Sequence, residues 1–156
     1  MIRKTKNGLL LVLALGLSAC SKAQDCGPVQ VKAPEAEVTR LQTWLKEHKI
    51  KAQADPRGFF YVIDKEGKGT KPTVCSTVDV NYKGTLLDGK VFDENNNMVF
   101  PLAQLINGWK EGIPLVAPGG SITLYLPPTL AYGPGGGGPI PPNSDLIFKI
   151  DLNAVK

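Results

Sequence analysis

The chain has a single histidine, His48, among 156 residues, and only three cysteines, Cys20, Cys26 and Cys75. One imidazole and a few scattered thiols do not compose a zinc-ligand set, so no metal site is expected. The nucleophile elbow GxSxG, the metalloprotease HExxH, the phosphate-binding P-loop and a GxGxxG that opens a helix are all missing. The glycines at 135–138 lead into Pro-Ile-Pro-Pro, which supplies no helix N-terminus to hold a phosphate. Covalent, metal-dependent and nucleotide chemistry are therefore disfavoured, and no cofactor is expected. No basic run interleaved with aromatics is found either, so nucleic acid has no electrostatic footprint. The apolar run Leu9–Ala19 falls short of the roughly 20 residues that a membrane-crossing helix needs.

That run follows Arg3, Lys4 and Lys6, the charge order of a secretory signal peptide, expected over residues 1–19. Leu17-Ser18-Ala19-Cys20 resembles the bacterial lipobox. The resemblance implies cleavage before Cys20, diacylation of its thiol and acylation of its new amino group, an anchor firmer than one chain gives. Ser21 in this setting implies the outer membrane of a bacterial envelope, with the domain facing periplasm or surface. The 18 basic side chains of the whole chain become 15 once residues 1–19 are gone, against 14 acidic ones, so the high isoelectric point belongs largely to the targeting segment. With Cys20 lipidated, Cys26 and Cys75 form an even pair in an oxidising compartment. Either they are joined in a disulfide, or they are two free thiols.

Residues 20–33 read as a tether without periodicity. From Pro34 the pattern changes: Val38, Leu41 and Leu45 recur at helical spacing with Trp44 beside them. Acidic Glu35 and Glu37 stand early and basic Lys46, His48 and Lys49 late, matching the helix dipole. An amphipathic helix is expected within 34–50, packed on its own domain, so that a monomer is expected over an arm-exchanged dimer. The domain is expected to occupy 58–156. Strands are expected at Phe59–Ile63, Thr77–Tyr82, Ser121–Leu126 and Leu146–Leu152, with a hairpin turn at Asp88-Gly89. Residues 101–108 read as a short helix or turn ending at Gly108. Strands outnumber helices and no βαβ unit repeats, so the class is α+β with an antiparallel sheet.

Tyr82, Phe92, Phe100, Trp109, Tyr132 and Phe148 occur one per element, beside glycines, turns or strand ends. Each alone could be a core residue. Trp109 in NGWKEG and Tyr132 in AYG stand where turns expose them, and together the set suggests an apolar pocket with a few polar groups. YKGTLLDGKVFD, then GWKEG, then LPPTLAYG and IPPN resemble, in order and spacing, an FKBP-type peptidyl-prolyl cis-trans isomerase from about Tyr61 to Val155. The preceding helix is similar to that of secreted bacterial members.

The resemblance implies a half-wrapped antiparallel sheet around a short helix, with the pocket between them. It implies Trp109 as pocket floor, with Tyr82, Phe92, Leu105, Ile106, Ile140 and Phe148 as walls and Phe100 beside them. Asp93 would be the pocket carboxylate. Tyr132 would offer its hydroxyl, and Ile106 its backbone N–H, to a substrate carbonyl. Met98 stands where the family commonly has an aromatic wall residue. The implied activity is rotation about Xaa-Pro bonds in unfolded or partly folded proteins, and macrolide inhibitors are implied as further ligands. A non-catalytic chaperone or peptide-binding module on the same fold is the alternative. The segment AYGPGGGGPIPPN is expected to be a mobile rim over the pocket, with Gly135–Gly138 a tip free of side chains.

Overall fold

The apolar residues of the N-terminal helix recur every three to four positions because they have one face to bury. In the computed structural model, which describes residues 26–156, this helix (α1) runs Glu35–Glu47, with Leu41 and Leu45 buried. It stops in two nested bonds, Lys49 N–H to the Lys46 carbonyl and Ile50 N–H to the Leu45 carbonyl. Lys49, at φ 57°, occupies the left-handed position that such a stop requires. The expected signal peptide and Cys20 lie outside the described residues.

Six antiparallel strands follow: β1 Gln53–Ala54, β2 Phe60–Lys65, β3 Thr77–Leu86, β4 Val91–Pro101, β5 Gly120–Leu126 and β6 Leu146–Val155. Their order across the sheet is β1-β2-β5-β6-β3-β4. In β6, Leu146, Phe148, Ile150 and Leu152 are buried while the alternating Lys149, Asp151 and Asn153 are exposed, the period-two pattern of a half-covered strand. β5 lacks that alternation, with six of its seven residues buried, because both of its faces are covered. On one face lie Ile122, Leu124 and Leu126 with Val78, Val80, Ile150 and the short helix α2, Asn107–Gly112. On the other, Tyr125 and Phe60 pack with Leu41 and Leu45 of α1. The result is an open antiparallel sheet laid against a short helix.

Three local expectations need correction. The sheet begins at β1, before residue 58, since Gln53 pairs with Tyr61 and Ala54 with Phe60. Gly108 does not end a helix but lies inside α2. A Cβ built at Gly108 would sit 2.5 Å from the Leu126 methyls, and one at Gly112 2.5 Å from a Leu124 methyl. Glycine serves there to let α2 lie close on β5 and marks no boundary. The segment before Pro34 is also no free tether over its described part. Cys26 is disulfide-bonded to Cys75, with their Cα atoms 5.1 Å apart. The Val29 N–H donates to Glu111 Oε1 at 3.0 Å, Arg57 reaches the other oxygen of Glu111 at 3.0 Å, and Ala33 is buried with its N–H on the Arg57 carbonyl.

Candidate functional site

Two irregularities in the β3–β4 register shape the site. Val80 faces Met98 but Tyr82 faces Asn95, so β4 holds one residue more than β3 over this stretch; Asn97 lies within it at φ 54°. Further on, Gly84 faces Asp93 while Thr85 faces Val91, which leaves Phe92 as the extra residue. Bulges of this kind re-aim side chains. Here Tyr82, Phe92, Asp93 and Asn95 converge at one end of the sheet. Gly84 makes room for them: a Cβ there would meet two Phe92 ring carbons at 2.5 Å and Phe148 at 2.9 Å.

Trp109, on the first turn of α2, is buried at the centre of this group. Tyr82 and Phe148 meet it edge-to-face with ring centroids at 5.2 Å each, and Phe100 does so at 6.4 Å. Phe92 packs edge-on against Phe148 at 5.5 Å. Such pairs add about 0.5–1.5 kcal/mol each beyond burial of their area. The Trp109 Nε1–H is buried and has no hydrogen-bond partner among the described residues, a group that costs about 1–3 kcal/mol to leave unpaired. The centre of the ring cluster is therefore apolar, with one donor unused among the described residues.

Polar groups gather at the margin. Tyr82 donates its hydroxyl to Asp93 Oδ2 at 2.7 Å. Asn95 Nδ2 donates to both members of that pair, to the Tyr82 oxygen at 3.2 Å and to Asp93 Oδ1 at 3.1 Å. Burial first, then the hydrogen bond to Asp93, pushes the Tyr82 phenol above its ordinary value, against a smaller opposing effect of Asn95. The Tyr132 phenol is also raised, by burial and then by the charge of Asp93. Yet 43% of Tyr132 is exposed, and its hydroxyl bonds to no described residue, so it is a donor open to a ligand. The N–H of Ile106, the residue before α2, is likewise unpaired among the described residues.

The remaining sequence-selected residues fall in place unevenly. Ile140 is buried in the main core, and Leu105, Ile106 and Phe100 are half-buried against it. Met98 is half-buried on β4 opposite Val80 and is not among the side chains packed on that core. The glycine-rich rim is less bare than expected. Gly137 and Ile140 exchange backbone hydrogen bonds at 3.0 and 2.9 Å, and the Asn143 N–H reaches the Gly133 carbonyl at 3.1 Å. Gly137 also lies against the Tyr132 ring. Sequence reasoning missed Asn95, hidden in the run DENNN, and the spacing role of Gly84, which stood in view inside YKG. No cluster of three or more His, Cys, Asp or Glu side chains able to hold a metal ion occurs among the described residues.

Residues 68–153 match the family model described as FKBP-type peptidyl-prolyl cis-trans isomerase. The chain is 43% identical over 119 residues to the FKBP-type peptidyl-prolyl cis-trans isomerase FkpA of Escherichia coli strain K12, covering 74% of this chain and 43% of that protein. It is 45% identical over 106 residues to the outer membrane protein MIP of Legionella longbeachae, covering 65% of this chain and 46% of that one. The chain thus spans less than half the length of these curated relatives. A solved peptidyl-prolyl cis-trans isomerase from Pseudomonas syringae pv. tomato superposes with a TM-score of 0.69 at 33% identity, over 81% of this chain and 98% of that one.

Proposed function

This chain belongs to the FKBP-type peptidyl-prolyl cis-trans isomerase family, and we propose that it accelerates rotation about Xaa-Pro bonds of protein clients at the Trp109 site. Rotation about a peptide bond is slow because the C–N bond has partial double-bond character, with a barrier of about 18–20 kcal/mol. The two Xaa-Pro isomers differ by only about 0.5–1 kcal/mol, yet exchange over tens of seconds or longer. At the twisted midpoint resonance is lost and the amide is less dipolar than when planar. An apolar floor therefore favours the twisted amide over the planar one, while water favours the reverse. Differential stabilisation of that kind raises the rate without a bond being made or broken.

The observation that carries this reading is the packing of three rings on a buried tryptophan, bordered by open donors. In the proposed complex the proline ring rests on Trp109, walled by Tyr82, Phe92, Phe148 and Ile140, with Phe100, Leu105 and Met98 nearby. Tyr132 and the Ile106 N–H hold a client carbonyl, and Asp93 with Tyr82 fixes the polar border. A protease-coupled assay on a short Xaa-Pro peptide tests it. The parent should accelerate exchange, Trp109→Ala should abolish most of it, and Tyr132→Phe should reduce it. Failure of the parent, or variants as fast as the parent, would overturn the assignment.

The proposed clients are proline-containing unfolded or partly folded proteins, with macrolides as inhibitors and a monomer as the working form. We place the protein in a bacterial cell envelope, anchored through a lipidated Cys20 in the outer membrane. The lipobox resemblance and the similarity to an outer membrane protein of Legionella longbeachae support that location. Intact-mass spectrometry of the protein from membranes should find the chain beginning at an acylated Cys20; an unmodified N-terminus would refute the anchor.

A further inference from the structure

The connection between β5 and β6 spans residues 127–145, from the register pair Leu126–Leu146 outward and back. Hairpin connections commonly take 2–5 residues, and structureless loops beyond about 12–15 are uncommon unless functional. This one carries Tyr132 and Ile140. Its backbone closes on itself in the turns Pro128–Leu130 and Gly133–Gly135 and in the Gly137–Ile140 pair, but these bonds all stay within the segment, so its attachment to the helix side of the fold falls to side chains.

Both stems are held by α1, which packs on the opposite face of the sheet from Trp109. At the outgoing stem, Glu37 accepts twice from Thr129: the backbone N–H reaches Oε2 at 3.1 Å and the hydroxyl reaches Oε1 at 2.9 Å. At the returning stem, Arg40 donates from Nε and from a terminal nitrogen to the two oxygens of Asp145, both at 2.8 Å. This is the two-pronged guanidinium–carboxylate geometry that fixes orientation as well as distance. Asp145, with 5% of its side chain exposed, immediately precedes β6. The hydrogen bond to Asp145 raises the Arg40 guanidinium above its ordinary value, against a smaller lowering by burial. Glu37 and Arg40 lie three residues apart, on one side of the helix. One turn of α1 therefore grips both ends of the loop that carries Tyr132 and Ile140.

We propose that Glu37 and Arg40 are positioning residues that set the stance of the 127–145 loop over the Trp109 site, and so the affinity for client residues beside proline. The catalytic consequence rests on the proposed isomerase function; the mechanical one does not. Neither side chain touches the ring cluster, so their loss should act on client binding more than on turnover.

Hydrogen exchange and kinetics on the purified protein separate the two. Arg40→Ala and Glu37→Gln should speed exchange of the Gly137, Ile140 and Asn143 amides at least tenfold, with Ile150 in β6 unchanged. Leu41→Ala, which loosens α1 without touching either stem, should leave those three amides closer to the parent than Arg40→Ala does. In the peptide assay KM should rise about tenfold with kcat within about twofold, and Arg40→Lys, which keeps the charge but not the fork, should fall between. If Arg40→Ala does not fold, Arg40→Lys and Glu37→Gln carry the same comparison. Loop amides as slow as in the parent, or exchange that rises equally in Leu41→Ala, would overturn the proposal. A parent without isomerase activity would overturn the function proposed above, and the exchange comparison would still decide the clamp.

Discussion

Gly84→Ala offers the sharpest probe of the ring cluster, because it adds one methyl at its wall and changes no functional group. The new carbon would stand 2.5 Å from two carbons of Phe92 and 2.9 Å from one of Phe148, where ordinary carbon contacts lie at about 3.5–4.0 Å. The rings must therefore recede by about 1 Å. Overpacking of this kind costs about 1–3 kcal/mol, offset by about 0.5–1 kcal/mol because alanine loses less backbone freedom than glycine in a strand. Phe92 is only half-buried and can swing outward, which favours the low end. The net loss should be no more than about 2 kcal/mol, a fall of several degrees in melting temperature for a domain of this size. Misplacing reacting geometry by about 1 Å can cost about 100-fold in rate. The protease-coupled assay should thus show kcat/KM down by about 10–100-fold in a protein that remains folded at the assay temperature. A folded Gly84→Ala variant with kcat/KM within twofold of the parent would show that clients do not use the Phe92–Phe148 wall.

Two further predictions concern stability. Cys26 and Cys75 are 49 residues apart, a closed loop worth up to about 4 kcal/mol by the chain-entropy model. Reduction, or Cys26→Ser with Cys75→Ser, should lower the urea-unfolding free energy by about 2–4 kcal/mol; an unchanged midpoint with and without reductant would refute a stabilising bridge. The Tyr82 phenol is raised above its ordinary value in the fold, so its contribution is complete below the ordinary tyrosine range, near pH 10, and is lost as pH climbs through the raised value. Stability should therefore decline above about pH 10, less steeply in Tyr82→Phe, with phenolate absorbance appearing late in the parent. Ionisation of all phenols at the ordinary value would contradict the burial that raises Tyr82, Tyr125 and Tyr132.

How far such a molecule can be read from its sequence depends on which faces its elements bury. α1 and β6 were legible because each buries one face and exposes the other, so Leu41 and Leu45, or Leu146 and Phe148, recur at the period of their element. β4 was not legible as a continuous strand beyond its hairpin turn. It is a sheet edge, mostly exposed on both sides across Asp93–Asn97, and its run DENNN shows no alternation to detect. The ring cluster was legible through a family resemblance; composition alone suggested a set of aromatics without saying which would meet. What stayed hidden was the support of the site. Glu37 and Arg40 look like ordinary charges of a solvated helix face, and only the long-range partners Thr129 and Asp145 give them a role. Gly108 misled for a related reason: a glycine that marks a close approach is indistinguishable in sequence from one that marks a boundary.

The strand order carries a consequence for how the molecule comes into being. β6 comes after the other described strands in the chain, yet it lies between β5 and β3. Within the sheet, β6 is the strand that joins β1-β2-β5 to β3-β4. The ring cluster straddles this junction, with Tyr82 and Phe92 on β3 and β4 and Phe148 on β6. Pairings that wait on distant sequence delay the reward for closing long loops. The ring cluster is therefore complete only once β6 has paired on both sides, and a protein proposed to hasten the slow folding steps of others depends for its own site on a long-range pairing.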